Sequence, residues 1–169
     1  MSFKITWKTH IMCLLVALLT VELLGERTNI MFNSFFARTF VNYPTGSIAI
    51  NIFIYVILLM IPISIVHEAI HGMAYKLFGG KVEYGFKGIY AYTQEVSGQA
   101  IERTKFLIIL LAPLTIMSVL TLLLPYKLGG IIYLLNLLGA SGDLYMSLKL
   151  IRYGWNSKII DKKYGFDVI

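Results

Sequence analysis

The run His67-Glu68-Ala69-Ile70-His71 carries the most specific chemistry in the chain. Two histidines four apart on a helix share one face and can offer both imidazoles to one zinc ion, with Glu68 between them beside the water that such an ion activates. Zinc lowers the pKa of water toward about 7 and polarises a carbonyl. The run therefore predicts metal-assisted hydrolysis with Glu68 as general base. A pair of histidines buried for purely structural reasons is the competing reading. It loses weight because the motif continues an apolar run, where ionisable residues are costly and usually functional.

A catalytic zinc normally takes three protein ligands and keeps one position open. Cys13 is the sole cysteine, so neither an intrachain disulfide nor a multi-cysteine cluster is available. His10, the one other histidine, stands at the start of the first apolar run, far from any sensible packing against the motif. Asp143 is the better third ligand, being the sole Asp inside an apolar span, with no Lys or Arg inside a span to pair with it. The small residues Gly139, Ala140, Ser141 and Gly142 should let its helix approach the His-bearing helix closely. Asn136 lies two turns earlier on the same face. It suits an interhelical hydrogen bond as well as it suits a substrate backbone or the outer nitrogen of a ligating side chain.

The elements that must position these residues follow from composition. Hydrophobic residues make up 57% of the 169 and charged residues 14%, against about half and a quarter in soluble domains, and the mean hydropathy is +0.73. A soluble cytosolic enzyme is excluded. Four apolar stretches, 11–24, 47–66, 106–125 and 128–151, predict an all-α membrane protein with about four transmembrane helices. The whole chain, 1–169, reads as a single membrane-embedded metalloprotease-like domain. The first stretch is short and follows Lys4 and Lys8 like a signal peptide, but Glu22 and the lack of a small-x-small site favour an uncleaved helix.

The net charge of +6 does not imply nucleic acid, because the basic residues flank apolar runs instead of forming one patch. Twelve of the 15 Lys and Arg fall on one side of a four-span arrangement, leaving Arg27, Arg38 and Lys127 on the other. Both termini and the loop after the second span are then cytoplasmic. Within that loop, near-alternation of Val82, Tyr84, Phe86, Ile89 or Tyr90, and Tyr92 predicts a short strand or hairpin over 81–96. The outer loop, 25–46, spaces Phe32, Phe35, Phe36, Phe40 and Tyr43 for an amphipathic interfacial segment or an aromatic belt. Counting back at about 1.5 Å per residue from the cytoplasmic helix ends brings His67, His71 and Asp143 to one level.

The intramembrane His-Glu-x-x-His, then Ala112-Pro113, then Asn136-Leu137-Leu138 and Asp143 in a later helix resemble the site-2 protease group of intramembrane metalloproteases. More closely, His67 to His71, Ala112-Pro113, Ser141-Gly142-Asp143 and the tail Asp161 to Phe166 resemble the putative zincin peptidases, small bacterial membrane proteins. The resemblance covers about residues 60–169. It implies Zn2+ held by His67, His71 and Asp143, with Glu68 as base. Gly139 stands where the better-characterised group has proline, and Gly142-Asp143 reverses its Asp-Gly order.

The function expected is a zinc-dependent intramembrane endopeptidase acting on a membrane-embedded or membrane-proximal peptide in a bacterial cell membrane. The alternative is a non-catalytic metal-binding or protease-relic membrane protein serving as a partner-binding subunit. Intact Glu68 speaks against that alternative, since a purely structural metal site does not need it.

Overall fold

The structure, a computed structural model, describes residues 2–37, 41–87 and 90–169. Arg38 and Phe40 of the outer loop and Ile89 of the hairpin lie outside the described residues. The order is β1 (Ser2–Lys4), α1 (Trp7–Leu24), α2 (Glu26–Phe35), α3 (Ile48–Leu77), β2 (Val82–Lys87), β3 (Tyr90–Glu95), β4 (Ile101–Glu102), α4 (Arg103–Thr121), α5 (Tyr126–Gly139), α6 (Ser141–Leu150), β5 (Lys158–Lys162) and β6 (Gly165–Val168).

Helices α1, α3 and α4 are long and apolar enough to cross a membrane. Their exposed surfaces carry side chains such as Leu14, Leu18 and Ile57, which suits a hydrocarbon solvent rather than water. The expected fourth span, 128–151, is not one helix. It is the pair α5 and α6, bent by 48°. The bend falls at Ala140, whose ψ of 4° departs from helical values, although hydrogen bonds from Ala140 N–H to Asn136 O and from Leu144 N–H to Ala140 O carry the backbone across it. The sequence marks the place only by Gly139 and by Ser141-Gly142-Asp143, residues that the uniform apolar reading of 128–151 passes over.

Two further expectations change. The glycines were to bring the Asp143 helix against the His helix, yet a Cβ added at Gly139 or Gly142 would meet nothing within 4 Å. Instead α5 packs on α3, while α6 packs on α1 and α4. In the outer segment, Phe35 and Phe36 are buried and pack edge-on against each other and against Tyr55 of α3. These rings join the core between α2, α3 and α5 instead of lying along an interface.

The expectation of helices with one short hairpin also omits a second antiparallel sheet. The 81–96 hairpin is present as β2 paired with β3, in the register Val82 to Glu95 through Lys87 to Tyr90. A second, four-stranded sheet in the order β1-β6-β5-β4 joins the N-terminal segment to the C-terminal tail. Ile159 and Phe166 from this sheet are fully buried against Ala74, Tyr75, Phe106 and Leu150, each contributing about 1.5–3 kcal/mol of burial. A separate cluster around Ile63, Ile70, Met117 and Ile131 fills the other half of the bundle. The His67-to-His71 turn lies where the two clusters meet.

Candidate metal centre

Helix α3 places His67 and His71 one turn apart, both buried. Their Nε2 atoms converge on one carboxylate oxygen of Asp143, at 3.0 Å from His67 and 3.4 Å from His71. The ligating atoms of all three residues lie within 4.8 Å of one another. Tetrahedral zinc ligands at about 2.0–2.1 Å from the ion stand about 3.3 Å apart, close to the two His–Asp distances. Asp143 also sits in the first turn of α6, where the positive end of the helix dipole favours a carboxylate.

The outer nitrogens of both rings are engaged. His71 Nδ1 lies 2.9 Å from the Ile109 carbonyl, an acceptor only, so this nitrogen carries the proton. His67 Nδ1 lies 3.0 Å from Asn136 Oδ1 and donates in the same way. With their outer nitrogens donating, both rings present Nε2 to the same carboxylate oxygen. A cation between these three atoms would be held by all of them, and the hydrogen bonds to the outer nitrogens keep both rings aimed for it. The donor set fits zinc.

A proline supplies the acceptor for His71. Within α4, Pro113 has no N–H to give to the carbonyl four residues back, which is that of Ile109. The freed carbonyl is the one His71 uses. Asn136, 1% exposed, serves His67 from the far side of the α5–α6 bend, while its amide nitrogen is buried without a hydrogen-bond partner.

Beside these residues opens a cavity of about 420 Å³ whose walls include Glu68, His71 and Asp143, with Thr93 of β3 and Lys162 and Lys163 of the tail opposite. The hairpin is docked on α3 by the cross-strand pair Tyr84 and Thr93. Thr93 Oγ1 donates to the Glu68 carbonyl at 2.9 Å. The Tyr84 hydroxyl lies so close over Gly72 that a Cβ there would be 1.9 Å from it. Lys81 and Val96 form a hydrogen-bonded pair, so strict alternation turns the backbone groups of Ala91, Thr93 and Glu95 away from β2. On this second edge, Glu95 N–H donates to Asp161 at 3.0 Å.

Asp161 and Tyr75 are polar members of the cavity wall that the sequence reading did not single out. Tyr75 stands four residues after His71 and donates its hydroxyl to Asp161 at 3.0 Å. The same-face spacing on α3 was the available signal for Tyr75; the pairing with a tail residue 86 positions away had none. Burial pushes the Asp161 carboxyl up to about 6 despite the bonds it accepts. Glu95, in contrast, is held below its ordinary value. Burial works to raise it, but donors from Ser97, Lys81 and Gly98 outweigh that effect. His10 is exposed and outside this cluster.

The sequence profile of a family described as putative zincin peptidase matches residues 60–157, well over half of the chain. The chain belongs to the putative zincin peptidase family. All five residues singled out as a site, His67, Glu68, His71, Asn136 and Asp143, lie inside the part matched, as does Pro113. Comparison with curated proteins and with solved structures returns no match.

Proposed function

We propose that this zincin-family chain is a zinc-dependent intramembrane endopeptidase that hydrolyses a membrane-embedded or membrane-proximal peptide bond. The observation that carries the reading is the convergence of two α3 imidazoles, each with its proton fixed on the outer nitrogen, on the Asp143 carboxylate beside Glu68. His67, His71 and Asp143 would hold the ion, and Asn136 and the Ile109 carbonyl keep the rings aimed. When bound there, zinc supplies Lewis acidity toward water and a peptide carbonyl. Glu68, facing the cavity, takes the proton from the attacking water and passes it to the leaving amine.

A transmembrane helix hides its carbonyls in its own hydrogen bonds, so the substrate must be extended to react. The second edge of β3 supports this step, since its Thr93 and Ala91 backbone groups can pair with an extended segment beside Glu68. The span 48–67 of α3 is about 28 Å long, close to the thickness of the hydrocarbon core. The metal centre is therefore near one face of the bilayer. The excess of Lys and Arg on the side of both termini supports a cytoplasmic placement of that face, in a bacterial cell-membrane protein whose α5 and α6 form a broken fourth span.

The test is cleavage of a reconstituted transmembrane peptide before chelation, after chelation and after zinc is restored. Loss and recovery of cleavage are expected. Cleavage unaffected by a chelator that has removed the metal would overturn the proposal.

A further inference from the structure

Away from the metal centre, a second cavity of about 440 Å³ opens where β1 and the start of α1 meet the end of α6. Lys4, Lys8, Lys149 and Arg152 line it together with hydroxyl-bearing residues including Thr6 and Thr9. No Asp or Glu lines it among the described residues, and none of the four cations is ion-paired there. The nearest carboxylate on the β1–β6 ladder, Asp167, stands opposite Ser2 and accepts from Tyr164 at 2.7 Å.

The positive charge is concentrated further by α1 itself. Its first turn contains no acidic residue and includes Lys8, so a cation sits at the positive end of the helix dipole, where an anion would be stabilising. Thr6 and Thr9 close the helix end, with Thr6 N–H donating to Thr9 Oγ1 at 3.0 Å. Phe3 and Tyr145 pack with ring centroids 6.1 Å apart and join the two sides of the pocket. Lys8 and Lys149 lie over the Trp7 and Tyr145 rings at 5.9 and 5.2 Å, contacts that hold the two ammonium groups at the hollow without neutralising them.

We infer that this cavity binds the phosphate of an anionic phospholipid headgroup. The surroundings identify a lipid as the source of the phosphate. Trp7, 68% exposed, stands at the start of α1, the place of an interfacial aromatic anchor. From there Leu14, Leu15 and Leu18 are exposed along α1, giving acyl chains an apolar surface that begins at the headgroup site. Basic pockets between membrane helices bind anionic headgroups by this combination. The site is separate from the metal centre and does not depend on peptidase activity.

Native mass spectrometry of the detergent-solubilised full chain, titrated with phosphatidylglycerol or phosphatidylcholine, reads the site directly. The expected result is one tightly retained phosphatidylglycerol and no comparable retention of phosphatidylcholine. Each cation near an anionic lipid contributes about fivefold. The triple variant Lys8→Gln, Lys149→Gln, Arg152→Gln should therefore bind phosphatidylglycerol about tenfold or more weakly, after allowance for screening. A control removing three cations elsewhere, Lys76→Gln, Lys81→Gln, Lys158→Gln, should change binding less than about threefold. The charge-keeping variant Lys8→Arg, Lys149→Arg should retain binding and guards against misfolding as the cause. Equal weakening in both triple variants would reduce the effect to diffuse charge and overturn the site. Full displacement by inorganic phosphate at matched ionic strength would assign it to a free anion and overturn the lipid.

Discussion

At the residue scale, Asp143 and Pro113 give the sharpest tests. Asp143 supplies the one negative charge among the three converging groups. Asp143→Ala should lower zinc affinity by more than about 100-fold, beyond the roughly 10–100-fold expected for a residue that only orients a ligand, such as Asn136→Ala. Asp143→Asn keeps the shape but loses the charge and should also weaken binding; competition against a chelator of known affinity measures all three. Pro113→Ala restores an N–H that competes for the Ile109 carbonyl, and so should weaken zinc binding about tenfold with helix content unchanged. An unchanged affinity would remove the proline from the metal centre's support. The convergence of the two histidines with Asp143 was legible in the sequence because the histidines stand at ligand spacing on one helix and Asp143 is the sole Asp in an apolar run. The function of Pro113 was not, since a four-residue offset to Ile109 matters only once His71 is seen to use that carbonyl.

At the element scale, the tail sheet is tied to α3 and β3 through Asp161, which accepts from Tyr75 and from Glu95 N–H. Its folded-state value of about 6 exceeds the ordinary 3.8, so the native protein holds this proton more tightly than the unfolded chain. The associated stability is present below about pH 4 and is lost as pH rises through about 6, on the order of 3 kcal/mol in all. Hydrogen exchange of residues 158–168 should accelerate between pH 5 and 7, after correction for intrinsic rates, and Asp161→Asn should flatten that dependence. A wild-type profile already flat would show that Asp161 does not govern docking. Alternation of aromatic and polar residues made the β2–β3 hairpin legible. The four-stranded sheet was not, because β1 has three residues, β4 has two, and β1 pairs with β6 across nearly the whole chain. The bend between α5 and α6 was missed for a different reason: Gly139 and Ser141-Gly142-Asp143 read as close-packing small residues and a ligand within one span, although the same cluster also suits a helix end and a new helix start.

At the scale of the whole molecule, helices long and apolar enough to cross a membrane carry both a cavity beside the metal centre and a basic hollow at the start of α1. Cysteine substitutions at Lys163 and Lys87 should label from the cytoplasm, and one at Arg38 from outside; external labelling of position 163 would reverse the orientation drawn from the charges. The central claim joins metal, base and peptide hydrolysis, and each must be read on the same protein. Zinc content and cleavage of a transmembrane peptide should therefore be measured together on purified wild type and Glu68→Gln. The expected result is about one zinc per chain in both, with cleavage in the wild type and a loss of at least about 1000-fold in the variant, within the range for removing a proton-transfer group. Zinc-loaded Glu68→Gln cleaving at the wild-type rate, or wild type that binds no zinc, would contradict it.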